Sequence, residues 1–128
     1  MRTVSSKREA EGAVAHFSER EAEYLADNFL GRLATASASS QPHVVPVAYR
    51  FDGSGITFGG WRLQESLKYR NIMANNRVAL VVDEVVSTRP WVVKGIEVRG
   101  VARPLRGHGG ELMVRIRPRS IRSWGLEA

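Results

Sequence analysis

Cysteine is absent from the 128 residues. That excludes disulfides, thiolate nucleophiles and thiolate zinc sites together, and leaves the redox compartment open. No apolar run approaches the roughly 20 residues that cross a bilayer, so no membrane partner is expected. Residues Met1 to His16 carry charges and no apolar h-region, which does not read as an export signal and points to the cytoplasm. His16, His43 and His108 lie far apart and lack the spacing of local metal motifs such as HExxH, so no metal is expected. The GxSxG pattern is missing, the acids form no obvious dyad, and serines near His43 do not make a triad, because triads are defined by geometry. If the chain is an enzyme, a cofactor supplies the reactivity.

What is present is ordinary globular material. The chain is 43% hydrophobic and 25% charged, which suits one domain with one core. Residues 1–16 show no convincing period and are expected as a flexible N-terminal tail, with a single domain over residues 17–128. The net charge of +6 is one-sided. Residues 1–84 balance ten Lys/Arg against ten Asp/Glu, whereas residues 85–128 set nine Lys/Arg against Glu97, Glu111 and Glu127. Such a bias favours an anionic partner: a phosphorylated small molecule, a membrane or nucleic acid. The exposed aromatic strand pairs of single-strand binders are lacking, so nucleic acid is not the expected partner.

Ser18 with Glu21 three residues later forms a capping-box signal. Ala22, Leu25, Ala26 and Phe29 then recur at helical spacing, and Gly31 is the expected stop. After it the period becomes that of strands. Arg32–Ala38, His43–Phe51 and Ile56–Gly60 read as an antiparallel meander closed by Asp52-Gly53-Ser54-Gly55. Pro46 donates no ladder hydrogen bond, so an edge or a bulge is expected there. A second helix is expected over Leu63–Asn75. Strands follow over Arg77–Val86 and Pro90–Leu105, and a last one starts at Leu112. Six strands and two helices in the order αβββαβββ predict a mainly β fold, a small closed or split antiparallel barrel. His43 at a strand start and His108 in a glycine-rich turn are expected at the surface.

One segment carries a chemical suggestion. Phe58-Gly59-Gly60-Trp61-Arg62 leads into Ser66-Leu67-Lys68-Tyr69-Arg70-Asn71. Glycines at a strand end let a ligand approach the backbone. The helix start beyond them offers free N–H groups and a positive dipole end to an anion. Arg62, Ser66 and Lys68 add two cations and a hydroxyl, which together make a reasonable phosphate cradle. The plainer alternative is that the charges are a solvated helix face and the glycines merely turn the chain. Trp61, Trp91 and Trp124 can stack on a ring or fill a core or an interface. Tyr49 and Tyr69 could reach a ligand through a hydroxyl. Arg115, Arg117 and Arg119 share one strand parity and project together if Pro118 does not break the strand; a solvated basic edge is the alternative.

With these residues in place the chain resembles the pyridoxamine 5′-phosphate oxidase-like split β-barrel family. It is most similar to the branch that uses the deazaflavin coenzyme F420. The marks are Gly31-Arg32-Leu33-Ala34-Thr35, then Pro46-Val47-Ala48-Tyr49-Arg50-Phe51-Asp52, then Lys68-Tyr69-Arg70-Asn71 before an apolar strand ending in Asp83. Arg117-Pro118 and Ser123-Trp124-Gly125 complete the pattern over about residues 17–126. The resemblance implies a homodimer with cofactor at the subunit interface. It implies a tricyclic ring beside Val45, Pro46 and Val47, and a phosphate near Gly60, Trp61, Arg62, Ser66 and Lys68. It further implies pocket walls at Trp91 and Trp124, one of them from the partner subunit.

Where FMN-using members carry Ser-Arg-Lys, this chain has Ser66-Leu67-Lys68, which favours the deazaflavin over FMN. The residues that would hold a pyridoxamine phosphate substrate are not recognisable. The implied reaction is hydride transfer from reduced coenzyme F420 to an electron-poor C=C or enone of a small organic substrate, with no obligatory acid–base side chain and hence no catalytic residue named. The alternatives are an FMN-dependent oxidoreductase, or a non-catalytic flavin, deazaflavin or haem binder of the same fold.

Overall fold

The computed structural model describes residues 5–9 and 14–127. Seven strands and two helices occur among them: β1 (Ser5–Glu9), α1 (Glu19–Asp27), β2 (Leu30–Ala36), β3 (Pro42–Phe51), β4 (Ile56–Phe58), α2 (Leu67–Ala74), β5 (Arg77–Thr88), β6 (Trp91–Arg106) and β7 (Leu112–Trp124). A single 3₁₀ turn at Leu63–Glu65 precedes α2. The sheet runs β1-β7-β4-β3-β2-β5-β6, and a further β6–β7 pairing closes β2 to β7 into a six-stranded antiparallel barrel. Closure pairs most strand edges, and the short β4 leaves stretches of β3 and β7 uncovered beside it.

Alternation does most of the work. Leu33, Ile56, Phe58, Leu80, Ile96, Val98, Val114 and Ile116 all point into the barrel and are almost completely buried. Each such side chain contributes about 1.5–3 kcal/mol through removal from water. β7 continues through Pro118 because a bulge absorbs it: Arg99 pairs with Ser120 and Gly100 with Pro118, which leaves Arg119 as the extra residue. A Cβ on Gly100 would lie 2.1 Å from the Arg117 carbonyl oxygen, so only glycine allows that close pairing.

Three expectations change. Ser5–Glu9, within the segment expected as a tail, pairs with β7 over Ser120–Trp124. β4 covers β7 only at Val114–Ile116, so the later residues of β7 have a free edge, and main-chain hydrogen bonding to that edge leaves no trace in side-chain periodicity. Residues 1–4 and 10–13 of the expected tail lie outside the described residues. The buried face of α1 is Glu21, Tyr24 and Leu25, not the expected stripe ending at Phe29, and Phe29 lies beyond the helix with its ring exposed. Asn28 ends α1: its N–H reaches the Leu25 carbonyl and its Nδ2 donates to the Tyr24 carbonyl at 2.8 Å. Gly31 instead sits inside β2, where a Cβ would press on Leu80 and Val82.

Candidate functional site

β3 has two chemically different faces. Tyr49 N–H donates to the Phe29 carbonyl, so the odd-numbered main-chain groups of β3 serve β2 and the even-numbered ones face the other way. On that other side β4 pairs only with Tyr49–Phe51. The main chain of Val44, Pro46 and Ala48 therefore runs along an open edge, and the missing N–H of Pro46 costs no ladder bond there. The edge expected at Pro46 is present, with no bulge in the β2–β3 register.

Side chains follow the same parity. Val47 is 5% exposed in the core and Val45 packs against it. Of the three residues expected beside a ring, only Pro46 offers its side chain outward. Its outward companions are Val44 and Ala48, with Leu30 of β2 paired to Ala48. Hydropathy does not carry this signal, since HVVPVAYRF is apolar at both parities; the pleat does, because successive side chains of a strand point to opposite faces.

The open edge meets a loop that glycine keeps clear. In the β3–β4 register Tyr49 opposes Phe58, so Gly59 and Gly60 leave the sheet alongside Ala48. Gly60 has φ of 150°, and a Cβ built there would meet nothing within 4 Å. Beyond it Ser66 caps α2: its Oγ accepts from Tyr69 N–H at 3.3 Å and donates to the Leu63 carbonyl at 2.6 Å. The N–H groups of Leu67 and Lys68 belong to the first turn, whose donors have no partner within the helix. Lys68 is half-buried at that turn.

Arg62 does not join them as a free cation. It adopts a left-handed backbone conformation (φ 54°), is paired to Glu65 (Nη2 to Oε1, 2.7 Å), and lies over the Trp61 ring at 5.2 Å. Trp61 is 88% exposed, so it fills no core. The cradle of this chain thus reduces to Gly60, the cap at Ser66, the first-turn amides and Lys68. An apolar strip with an open main-chain edge, from which a glycine loop leads within six residues to the cap of α2, suits a flat ring carrying a phosphate.

Trp91 and Trp124 stand elsewhere. Trp124 pairs with Gly95, and a Cβ on that glycine would lie 2.7 Å from the indole. Trp91 pairs with Thr88 at the tip of the β5–β6 hairpin. β2 reaches only Val81 of β5 and β7 only Gly95 of β6, so Glu84 to Lys94 form a two-stranded arm outside the barrel. Val85, Val86, Trp91 and Val92 are all exposed on it.

Tyr49 is turned away from the outer site. Its hydroxyl donates to the Leu25 carbonyl at 2.8 Å, and burial pushes its phenol up to about 12. His43, expected at the surface, faces inward opposite Thr35 with Nδ1 buried. Arg115, Arg117 and Arg119 do share the outward parity, but Arg115 is tied to Asp52 and Ser54 of the β3–β4 turn.

The sequence model of the pyridoxamine 5′-phosphate oxidase family matches residues 17–124. The chain belongs to that family. A relative from Streptomyces rimosus subsp. rimosus, the 5a,11a-dehydrotetracycline/5a,11a-dehydrooxytetracycline reductase, is 39% identical over 120 residues, covering 87% of this chain and 84% of its own. Among solved structures of the same fold, a FAD-binding protein from Mesorhizobium loti has a TM-score of 0.68 at 22% identity, over 96% of this chain and 99% of that one. An F420 reductase has a TM-score of 0.60 at 23% identity, over 88% of this chain and 97% of that one. At such identities these two structures speak for the split-barrel fold alone. No helix among the described residues is long and apolar enough to cross a membrane.

Proposed function

We propose that this member of the pyridoxamine 5′-phosphate oxidase family is a reductase that uses coenzyme F420 to saturate an electron-poor C=C of a small organic substrate. The observation that carries the reading lies on β3: the outward strip of Val44, Pro46 and Ala48 runs along an open edge, and Gly59-Gly60 leave the sheet alongside Ala48 toward the cap of α2. The reductase relative from Streptomyces rimosus, whose name describes a substrate with an extra double bond between C5a and C11a, supports the type of acceptor. Ser66-Leu67-Lys68 in place of Ser-Arg-Lys supports the deazaflavin over FMN.

When bound and reduced, the coenzyme would supply a hydride, and a proton from solvent would complete saturation of the C=C. The protein's contribution is positioning and electrostatics. Val44, Pro46 and Ala48 give the ring a flat apolar seat, and the free main-chain groups of the β3 edge can hydrogen-bond its polar rim. The first-turn amides of α2 and the Lys68 ammonium hold the phosphate. Arg62, already paired with Glu65, keeps Trp61 in place more than it neutralises the ligand.

A homodimer belongs to the same proposal. A two-stranded ribbon is at best marginally stable alone, and the arm exposes four large apolar side chains. Docked on a second copy, it would bring Trp91 and the outward face around Trp124 toward the partner's β3 strip.

The test is to offer coenzyme F420, FMN and haem separately to the purified chain and pass each mixture through a desalting column. Coenzyme F420 is expected to stay bound, and its reduced form is expected to be consumed on adding 5a,11a-dehydrotetracycline or a simpler enone. Retention of FMN or haem instead overturns the cofactor. Tight binding of the reduced deazaflavin without consumption by any acceptor turns the protein into a carrier.

A further inference from the structure

A groove of about 470 Å³ crosses the outer wall of the barrel at the other end of α2 from Ser66. Its floor is small and apolar, from Ala34, Ala79 and Val101. Its rim carries Arg77 at the start of β5, Arg99 on β6 and Arg119 at the β7 bulge. Three strands therefore place three arginines around one depression. Arg99 shares its charge with Glu97, two residues before it, at 3.2 Å. Arg77 and Arg119 are exposed, and neither side chain has an acidic partner among the described residues.

The geometry is specific in one respect. Without the Arg99/Gly100 bulge, residue 119 would be an ordinary ladder residue opposite β6. The extra residue lets Pro118 stay buried while Arg119 is carried outward beside Arg99. Guanidinium forks match carboxylate, phosphate and sulfonate oxygens, and a floor of alanine and valine suits a thin apolar body. None of the residues that line the groove belongs to α2 or to the Gly59–Lys68 segment.

We infer that the Arg77–Arg99–Arg119 groove is a second ligand site, for a small amphiphilic anion with a flat apolar body and a carboxylate, phosphate or sulfonate head. The site does not depend on which cofactor the chain uses. It assigns a role to part of the basic excess in the last third of the chain, while Arg115 serves the fold.

The test uses the whole chain and 8-anilinonaphthalene-1-sulfonate as fluorescent probe, with its uncharged counterpart 1-anilinonaphthalene alongside. The sulfonate is expected to show a saturable site on each chain that binds it at least tenfold tighter than the neutral probe. Arg77→Gln with Arg119→Gln is expected to weaken the sulfonate at that site at least tenfold and leave the neutral probe unchanged, in the parent and in a Lys68→Ala background alike. Unfolding midpoints check that the variants stay folded. Equal affinity of the two probes, or indifference of the sulfonate to the double substitution in either background, overturns the inference. Binding that falls away as protein concentration rises also overturns it, by showing that the groove is a contact between copies.

Discussion

The two helices are held to the barrel by different chemistry. α1 sends a carboxylate inward. Glu21 is 1% exposed, accepts the Ser18 main-chain N–H at 2.9 Å as half of a capping box, and accepts the Ser123 hydroxyl of β7 at 2.6 Å. Tyr49 ties the far end of the helix by donating to the Leu25 carbonyl. α2 has one comparable anchor, Asn71 Nδ2 donating to Thr35 Oγ1 at 3.0 Å, and leaves Leu67 and Met73 exposed. One helix uses its polar groups to close the fold. The other keeps its first turn and a lysine available outside it, which is what a ligand-holding element requires.

The sharpest way to break this contrast is to remove the inward carboxylate. Glu21→Ala takes away the capping-box acceptor and leaves the Ser123 hydroxyl without this partner in the core. It is expected to cost about 2–4 kcal/mol in chemical unfolding, combining a lost cap with a poorly satisfied buried polar group. Glu21→Gln keeps the shape and one acceptor and should cost less. A change below about 0.5 kcal/mol for Glu21→Ala would mean that Tyr24, Leu25 and the Tyr49 hydrogen bond hold α1 without the carboxylate.

Why the same contrast was only half legible in the sequence follows from the residues themselves. Ser18 and Glu21 announce a helix start by local spacing, and the barrel strands announce themselves by alternation. Local rules do not say that Glu21 also reaches Ser123, because that bond spans 102 positions of sequence. The resemblance implies a ring beside Val45, Pro46 and Val47; the side chains that β3 turns outward are Val44, Pro46 and Ala48, and main-chain contact along an edge does not follow that parity. Arg62 looked like a free cation because its neutraliser is a glutamate three residues on, brought close by a left-handed residue and a 3₁₀ turn that propensity does not signal. β1 was invisible because an edge strand bound through its main chain needs no side-chain pattern.

Next in size is the pair of cations before and inside α2. Lys68→Ala is expected to weaken coenzyme F420 binding by about tenfold or more, the loss of one charge-assisted contact, while the unfolding midpoint stays near that of the parent. Arg62→Ala is expected to weaken binding distinctly less, since Glu65 already occupies its guanidinium. The measurement is a coenzyme titration followed by tryptophan fluorescence. Equal losses from the two substitutions would show that Arg62 swings off Glu65 when the phosphate arrives.

The smallest effect tests whether burial, and not charge alone, sets Glu21 apart. Asp52 is also tied to β7, through Arg115, but its side chain is 48% exposed. The Arg115 guanidinium, helped by the N–H groups of Ser54 at 3.0 Å and Gly55 at 2.9 Å, holds the Asp52 carboxyl well below the ordinary carboxylate range. A folded-state value below the unfolded one means that the pair stabilises fully above about pH 4, where an unfolded aspartate is ionised. The contribution is lost as pH falls from there toward the folded value. Solvent screening keeps the whole contribution under about 1 kcal/mol. Asp52→Asn is therefore expected to flatten the decline of the thermal midpoint below about pH 4 slightly, and to move it little at neutral pH. A neutral-pH loss as large as that of Glu21→Ala would place the β3–β4 turn among the tethers that close the barrel, and the distinction between the inward and the outward carboxylate would fail.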